Sequence, residues 1–306
     1  MSDPLSQGIQ HLRPQAVISK GITAAGNWAV RYSAFGHPGF CAMTEGRCRL
    51  AIEGMAPVDL VEGDFLLLPT VPAFTMSGGG PAPVLRLDPS TAPPPDRELR
   101  YGRQDGPPDM RQMGGWFVLG SPDAALVVSL LPRLIHLRGV PRLAQLVRLL
   151  GEEAAQDAPG RDMILERLVE ILLIEALRAA PAEGTQPGLL QGLADPRIAT
   201  ALRRMHEDVA QPWTVEGLAR AAGLSRSSFF DRFARRVGMR PMEYLNGWRM
   251  AVAKDLLRQP GLSLDEVAGR VGYGSASTFS IAFSRHVGMP PGRFSRRDKA
   301  VGPTAP

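Results

Sequence analysis

TVEGLARAAGLSRSSFFDRFARRVGMRP, Thr214–Pro241, and LSLDEVAGRVGYGSASTFSIAFSRHVGMPP, Leu262–Pro291, are two renderings of one pattern. Each carries an apolar residue and an acid, then Ala, Gly, Ser, a pair of phenylalanines four apart, and Val-Gly-Met before proline. A short helix, a turn and a second helix opening with Ser is the signature of a helix-turn-helix. In the first copy Thr214 sits where it caps a helix whose Val215, Leu218, Ala219 and Ala222 share a face. Gly223 falls where the chain needs a left-handed residue, which glycine adopts without a Cβ penalty. Ser225 caps the second helix, whose Phe229, Phe233 and Val237 recur at i, i+4 and i+8 and face a core. Gly238 ends it and Pro241 opens the next. In the second copy Ser263 caps, Val267, Ala268 and Val271 pack, and Gly272 turns. Ser275 caps again, Phe279 and Phe283 pack, Gly288 stops the helix and Pro290-Pro291 blocks its continuation.

The faces opposite these apolar stripes are the candidate reading surfaces, because the N-terminal end of the second helix reaches base edges in such motifs. They comprise Arg226, Ser227, Phe230, Asp231 and Arg235 in the first copy, and Ala276, Ser277, Ser280, Ile281 and Arg285 in the second. Ser bonds any base, Asp accepts from cytosine N4, and Phe, Ala or Ile touch a thymine methyl. The second set is small and nearly uncharged, so the first helix is expected to discriminate bases and the second to hold the backbone or read shape. The bland alternatives are that Phe230 packs under a loop and that Asp231 pairs with Arg235 at i+4. Between the copies, PMEYLNGWRMAVAKDLLR, Pro241–Arg258, is apolar near helical spacing. A helix of that length spans about 27 Å, close to the roughly 34 Å of one B-DNA turn, so a stiff spacer sets two reading heads on neighbouring major grooves.

These residues resemble the AraC/XylS family of bacterial transcription regulators, over about Asp195 to Arg297. The match rests on W-T-x-x-x-L-A from Trp213, G-L-S-x-S-x-F at Gly223–Phe229, and P-x-x-Y-L-x-x-W-R-M at Pro241–Met250. It continues with V-A-x-x-V-G-Y at Val267–Tyr273 and F-S-x-A-F at Phe279–Phe283. The resemblance implies a seven-helix DNA-binding unit; Ile281 stands where many members carry a basic residue.

Charge is segregated in the same way. From Asp195 to Lys299 there are 18 Lys and Arg against 10 Asp and Glu, a net of +8, while the rest carries −3; the whole chain is +5. A basic excess confined to the motif-bearing part suits phosphate neutralisation. Since only Lys20, Lys254 and Lys299 are lysine, arginine richness by itself reflects a coding bias, and its segregation is the stronger sign.

The 306 residues suffice for two cores. AALVVSLL, Ala124–Leu131, is the longest apolar run and far short of a span of about 18 residues. The start, MSDPLSQG, has no charged region followed by an apolar one, and the chain is expected to be cytoplasmic with no membrane association. Toward the N-terminus, WAVRYSAF, FCAMTEGRCRLAIEG and VDLVEGDFLLLP are short β-rich segments separated by Gly-Pro, Glu-Gly and Gly-Asp turn signals, which suggests a small barrel or jelly roll. GDFLLLP resembles the cupin-type sensor domains fused to many AraC-family proteins. By that resemblance Cys41 and Phe74 fall where related domains often place histidines. With only His11 and His37 in this part, neither a metal, a cofactor nor a catalytic cluster is expected, and the chain is read as a non-enzyme. If Glu45-Gly46 is a two-residue turn, Met43 faces Cys48 and Cys41 lies diagonally, about 7 Å away, too far for a relaxed disulfide. The cysteines are then small core residues, with a redox sensor the open alternative.

Ser77 to about Gly115 is rich in Gly and Pro and is expected to be irregular, with a strand near Val84–Leu87 and a last strand at Trp116–Leu119. Helices are expected near 124–131, 142–155 and 161–179. The third is apolar on more than one face, which implies burial on two sides, either against a second subunit or within its own domain.

The expected architecture is α+β. A cupin-like barrel with flanking helices spans residues 1–181, its helical part about 123–181; a linker spans 182–194; an all-α unit with two helix-turn-helix motifs spans 195–298. Leu218, Ala219, Phe229, Phe233, Val267, Phe279 and Phe283 are its core. The expected partners are promoter double-stranded DNA, RNA polymerase, a small-molecule effector with unassigned contact residues, and a second copy of the chain. The alternatives are a regulator whose N-terminal part only dimerises, and a cupin-type enzyme or binding protein with a helical assembly domain.

Overall fold

The computed structural model describes residues 4–6, 9, 14–34, 36–89, 98–119, 124–180 and 186–300. The chain forms two compact units: one of Leu12–Pro122 with Leu131–Gly184, the other of Met1–His11, Asp123–Leu130 and Thr185–Pro306.

In the first unit the strands are β1 (Pro14–Ala25), β2 (Trp28–Tyr32), β3 (Gly39–Ile52), β4 (Val58–Val61), β5 (Asp64–Leu68), β6 (Phe74–Gly78), β7 (Val84–Leu87), β8 (Leu99–Gly102), β9 (Met110–Leu119) and β10 (Ile135–Arg138). The sheet runs β7-β2-β6-β3-β9-β1-β8, with β4 and β5 paired to β3 and β10 paired to β5. The β1–β8 and β2–β7 pairs are parallel and the others antiparallel. From β2 to β8 is five strand steps, roughly 24 Å across a flat sheet. Yet the Trp28 and Tyr101 rings stack at 6.1 Å and the Tyr32 and Tyr101 hydroxyls are 3.0 Å apart. The sheet is therefore curled into a half-barrel around an apolar interior that includes Val30, Met43, Leu50, Leu60 and Leu66.

The Glu45-Gly46 hairpin turn expected from the sequence is instead a bulged bend within one continuous strand. The register of β3 against β9 shifts between Met43 and Glu45, and the strand then passes from pairing β9 and β5 to pairing β4 and β6. Gly46 makes this corner, with φ of 71°, and a Cβ there would overlap the Asp109 carbonyl. The bend still brings Cys48 Sγ to 3.7 Å from Met43 Sδ.

The stretch read as irregular up to Gly115 holds β8 and half of β9, and β9 is followed by β10 rather than being last. Local composition hides these strands because their partners, β1 and β5, are distant in sequence. Two helices complete the unit, α2 (Pro141–Ala154) and α3 (Arg161–Ala179). Helix α3 buries Leu165, Val169, Leu172 and Ala176 on one side, while Met163, Ile164 and Ile171 stay exposed, so within this chain it is covered on one side rather than two.

The second unit is helical: α1 (Ala124–Ser129), α4 (Leu189–Ala194), α5 (Pro196–Glu207), α6 (Val215–Ala221), α7 (Arg226–Val237), α8 (Pro241–Arg258), α9 (Leu264–Arg270), α10 (Ala276–Val287) and α11 (Pro291–Ala300). Two boundaries differ from the sequence expectation. Residues 189–194, expected as linker, form α4, whose Leu189 and Leu190 are buried. The segment from 123, expected with the barrel, belongs to this unit, and the Leu130 carbonyl accepts from the Leu189 N–H at 2.9 Å. Periodicity reveals a helix but not which core receives it.

Candidate nucleic-acid interface

The first helix-turn-helix is α6–α7. The Thr214 hydroxyl accepts from the Gly217 N–H and the Ser225 hydroxyl from the Ser228 N–H, so both helices start at side-chain caps. Gly238, at φ 83°, closes α7. Leu218, Ala219, Phe229 and Phe233 are buried in one cluster with Ile198, Leu202, Tyr244 and Leu245. The second is α9–α10. Ser263 and Glu266 form a reciprocal capping box, Ser275 caps α10 through the Thr278 N–H, and Val267, Phe279 and Phe283 are buried with Met250, Ala253 and Leu257. Helix α8 thus gives its first half to one core and its second half to the other, and is the shared beam of both modules.

Arg226, Ser227, Phe230, Asp231 and Arg235 are exposed on α7; Ser277, Ile281 and Arg285 are exposed on α10, with Ala276 and Ser280 half-buried beside them. Ile281 is 68% exposed, an apolar side chain standing in solvent on a helix whose other face is fully packed. Phe230 is open at the surface rather than packed under a loop. Arg226 is held by Glu216 of α6, Nε to Oε1 at 2.7 Å. At the equivalent place in the second module, Asp265 of α9 accepts from the Ala276 backbone N–H at 3.0 Å.

Two arrangements underneath these faces are invisible to motif reading. Asp195 caps α5, accepting from the Arg197 and Ile198 N–H groups, and also takes Arg232 Nε at 2.6 Å and Arg236 Nε at 3.4 Å from α7. Burial works to raise its pKa; the Arg232 hydrogen bond and charge and the two backbone N–H groups outweigh that and hold the carboxyl below its ordinary range. Arg249 of α8, nearly buried, donates to the Val209 carbonyl at 3.0 Å and the Gln211 carbonyl at 2.7 Å. It also lies 6.0 Å from the Tyr273 ring centre, and Tyr273 meets Phe279 edge-on in the second core. Burial pushes its pKa down and Tyr273 opposes the shift. Gly272 has φ of 79°, and a Cβ there would come within 2.6 Å of both the Ala210 carbonyl and Arg249 Nη2. Arg249 therefore fastens the chain leaving α5 to the turn of the second motif.

Residues 218–297 match the Helix-turn-helix domain family and residues 3–182 match the Cupin family. An AraC-like transcription regulator of Streptomyces lividans is 36% identical over 310 residues, covering 96% of this chain and 98% of that one. The chain belongs to the AraC-type transcription regulators. A second AraC-like regulator, from Streptomyces antibioticus, is 34% identical over 96% of this chain and 98% of its own. Among solved structures, the DNA-binding domain of AdpA in complex with a target DNA is 32% identical over 36% of this chain and 99% of that one, with a TM-score of 0.34.

In this AraC-type chain the barrel carries no metal-binding cluster of three or more His, Cys, Asp or Glu among the described residues. No helix among them is long and apolar enough to cross a membrane. Both cysteines are free thiols. Burial, then the neighbouring Cys48 and Asp64, pushes the Cys41 thiol well up; burial, then Asp59 and Asp64, pushes Cys48 up to about 12. Neither is a thiolate near neutral pH, the form that oxidants attack.

Proposed function

We propose that this regulator binds promoter DNA sequence-specifically, with α7 and α10 in successive major-groove segments, and that a small molecule held in the barrel controls it. The observation that carries the reading is that both helices show capped N-termini and outer faces turned to solvent while sharing α8 as a common beam. The +8 charge confined to this part supports phosphate contact. Arg226, Ser227, Phe230, Asp231 and Arg235 form the reading face; Ala276, Ser277, Ser280, Ile281 and Arg285 form the anchor. Control requires that the effector favour one arrangement of the protein over another, and its output passes to RNA polymerase at the promoter. Occupancy mapped across the source genome, followed by salt-controlled binding of recovered sites, tests this. Recovered sites sharing a motif with two elements about one helical turn apart are the expected result, and sites sharing no motif would refute it.

The exposed Ile164 and Ile171 favour one addition, that the barrel unit also pairs with a second copy through α3. Sedimentation of Ile164→Glu/Ile171→Glu against the parent chain decides it, since a pairing surface yields monomer in the variant alone.

A further inference from the structure

The half-barrel lines a partly open cavity of about 140 Å³ bounded by residues of β1 to β9, with Leu50, Leu66, Phe74, Met76 and Trp116 among its walls. That is the size of an engineered cavity of about 150 Å³ that stays dry and takes up benzene. Gly39 and Gly114 line it without a side chain. A Cβ on Gly114 would already stand 3.3 Å from Ile22 Cδ1.

Among the described lining residues there is no Asp, Glu, Lys, Arg or His. The nearby buried carboxylate, Asp64, is outside the lining and already accepts from His136, Arg138 and the Val61 N–H. The described polar groups on the wall are those of Tyr32, Cys41, Gln112 and the Trp116 indole. Tyr32 is matched by the Tyr101 hydroxyl. Gln112 is different. It is 4% exposed, and among the described residues its amide meets sulfur: the Cys41 thiol donates to Oε1 at 2.9 Å, and Nε2 donates to Met76 Sδ at 3.6 Å. Thiols and thioethers are weak partners. Among the described residues, one N–H and one carbonyl lone pair of a buried amide are thus left for something else, on a largely apolar wall.

We infer that the barrel cavity takes an uncharged, largely apolar molecule about the size of a small substituted benzene, bearing one hydroxyl or carbonyl that the Gln112 amide receives. This rests on the effector reading above and names the chemical class. A carboxylate or ammonium entering here would shed its water and find no opposite charge among the described lining residues. A neutral ligand gives up little, and its one polar atom completes an amide that sulfur satisfies poorly.

The test is calorimetric titration of the full-length protein with ethylbenzene, 4-ethylphenol and 4-ethylbenzoate, which share a skeleton and differ in the polar group. The expected order is 4-ethylphenol tighter than ethylbenzene by about five- to tenfold, the worth of one net hydrogen bond, with 4-ethylbenzoate at least about 100-fold weaker than either. Gln112→Leu keeps the side-chain size, so ethylbenzene still binds and the phenol loses its advantage. The wild-type order by itself is a test if that variant does not fold. Benzoate binding as tightly as the phenol, a phenol advantage that survives Gln112→Leu, or no binding of either neutral compound overturns the assignment. Affinity for a fragment of its own promoter, measured with each compound present, separates the two levels. Neutral binding without any change in DNA affinity refutes control by this cavity and leaves the ligand class standing. A benzoate that binds and shifts DNA affinity does the reverse.

Discussion

The two helix-turn-helix modules repeat one core design and diverge at one acid. Each buries two phenylalanines a turn apart, with ring centres 5.6 Å apart in the first and 5.5 Å in the second, under a serine-capped helix closed by a left-handed glycine. In each, the second residue of the first helix is acidic and reaches the first residue of the reading helix. Glu216 grips the Arg226 side chain, whereas Asp265 accepts from the Ala276 backbone. One acid restrains an exposed cation; the other finishes a helix end. Packing constrains the buried half of a duplicated motif, and the exposed half is free to take different work.

That comparison holds only while the modules keep a fixed separation, so Arg249 carries the largest expected effect. Arg249→Met keeps the aliphatic stem and removes the donors to the Val209 and Gln211 carbonyls. Stability of the helical unit is expected to fall by about 3 kcal/mol in denaturant titration, two part-buried carbonyls losing a charged donor. DNA with both half-sites should lose affinity more than DNA with one, and an inserted base pair should be tolerated better. Unchanged spacing preference in a folded variant would show that α8 alone sets the separation.

Next is Asp195, which serves the first module. Asp195→Asn keeps a cap and removes the charge facing Arg232 and Arg236, and is expected to cost about 2 kcal/mol at neutral pH. The folded-state pKa is depressed relative to the ordinary value of about 3.9. The stabilisation is therefore complete above about pH 4 and lost as pH falls through the lower folded value. Melting curves of the parent and the variant should converge on acidification below that point. A gap independent of pH would mean the charge is idle.

The reading faces come third. Asp231→Ala is expected to relax preference at one base pair by about 1–2 kcal/mol, while Ile281→Ala should change affinity by less than about 1 kcal/mol without altering preference at hydrogen-bonded positions. Selection of binding sites from randomised DNA by each variant measures both. A sharper loss of preference for Ile281→Ala would exchange the roles of reader and anchor.

How far the sequence discloses this depends on whether a residue's role is local. The spacer helix Pro241–Arg258 has the expected bounds, and Thr214, Ser225, Ser263 and Ser275 cap as expected, because capping and 3.6-residue periodicity are decided within a few residues. Strand β1 reads as PQAVISKGITAA, with little alternation, and is a strand because β9 and β8 flank it. Arg249 looks like any helix-surface cation in W-R-M; its burial needs 209–211 and Gly272–Tyr273 brought together by the fold. Gln112 lies in a stretch that composition marks as irregular, so nothing local points it inward.

The smallest effect separates the two acids by sign. Glu216→Gln releases Arg226 from its ion pair at the exposed end of α7. An exposed pair of this kind is worth under about 1 kcal/mol, so stability should barely change. The freed guanidinium, with one fewer nearby negative charge, should instead strengthen DNA binding by about threefold and steepen its salt dependence by roughly one counterion. Asp265→Asn still offers an oxygen to the Ala276 N–H but loses the charge that favours a helix N-terminus, at a cost of about 0.5 kcal/mol. Removing a negative charge near DNA acts in the opposite direction, so its binding should change less than that of Glu216→Gln. If both variants strengthened binding equally, simple charge would explain them and the different geometry of the two acids would carry no function. A gain confined to Glu216→Gln, and absent when Arg226→Ala is added, would identify Arg226 as the cation that Glu216 withholds.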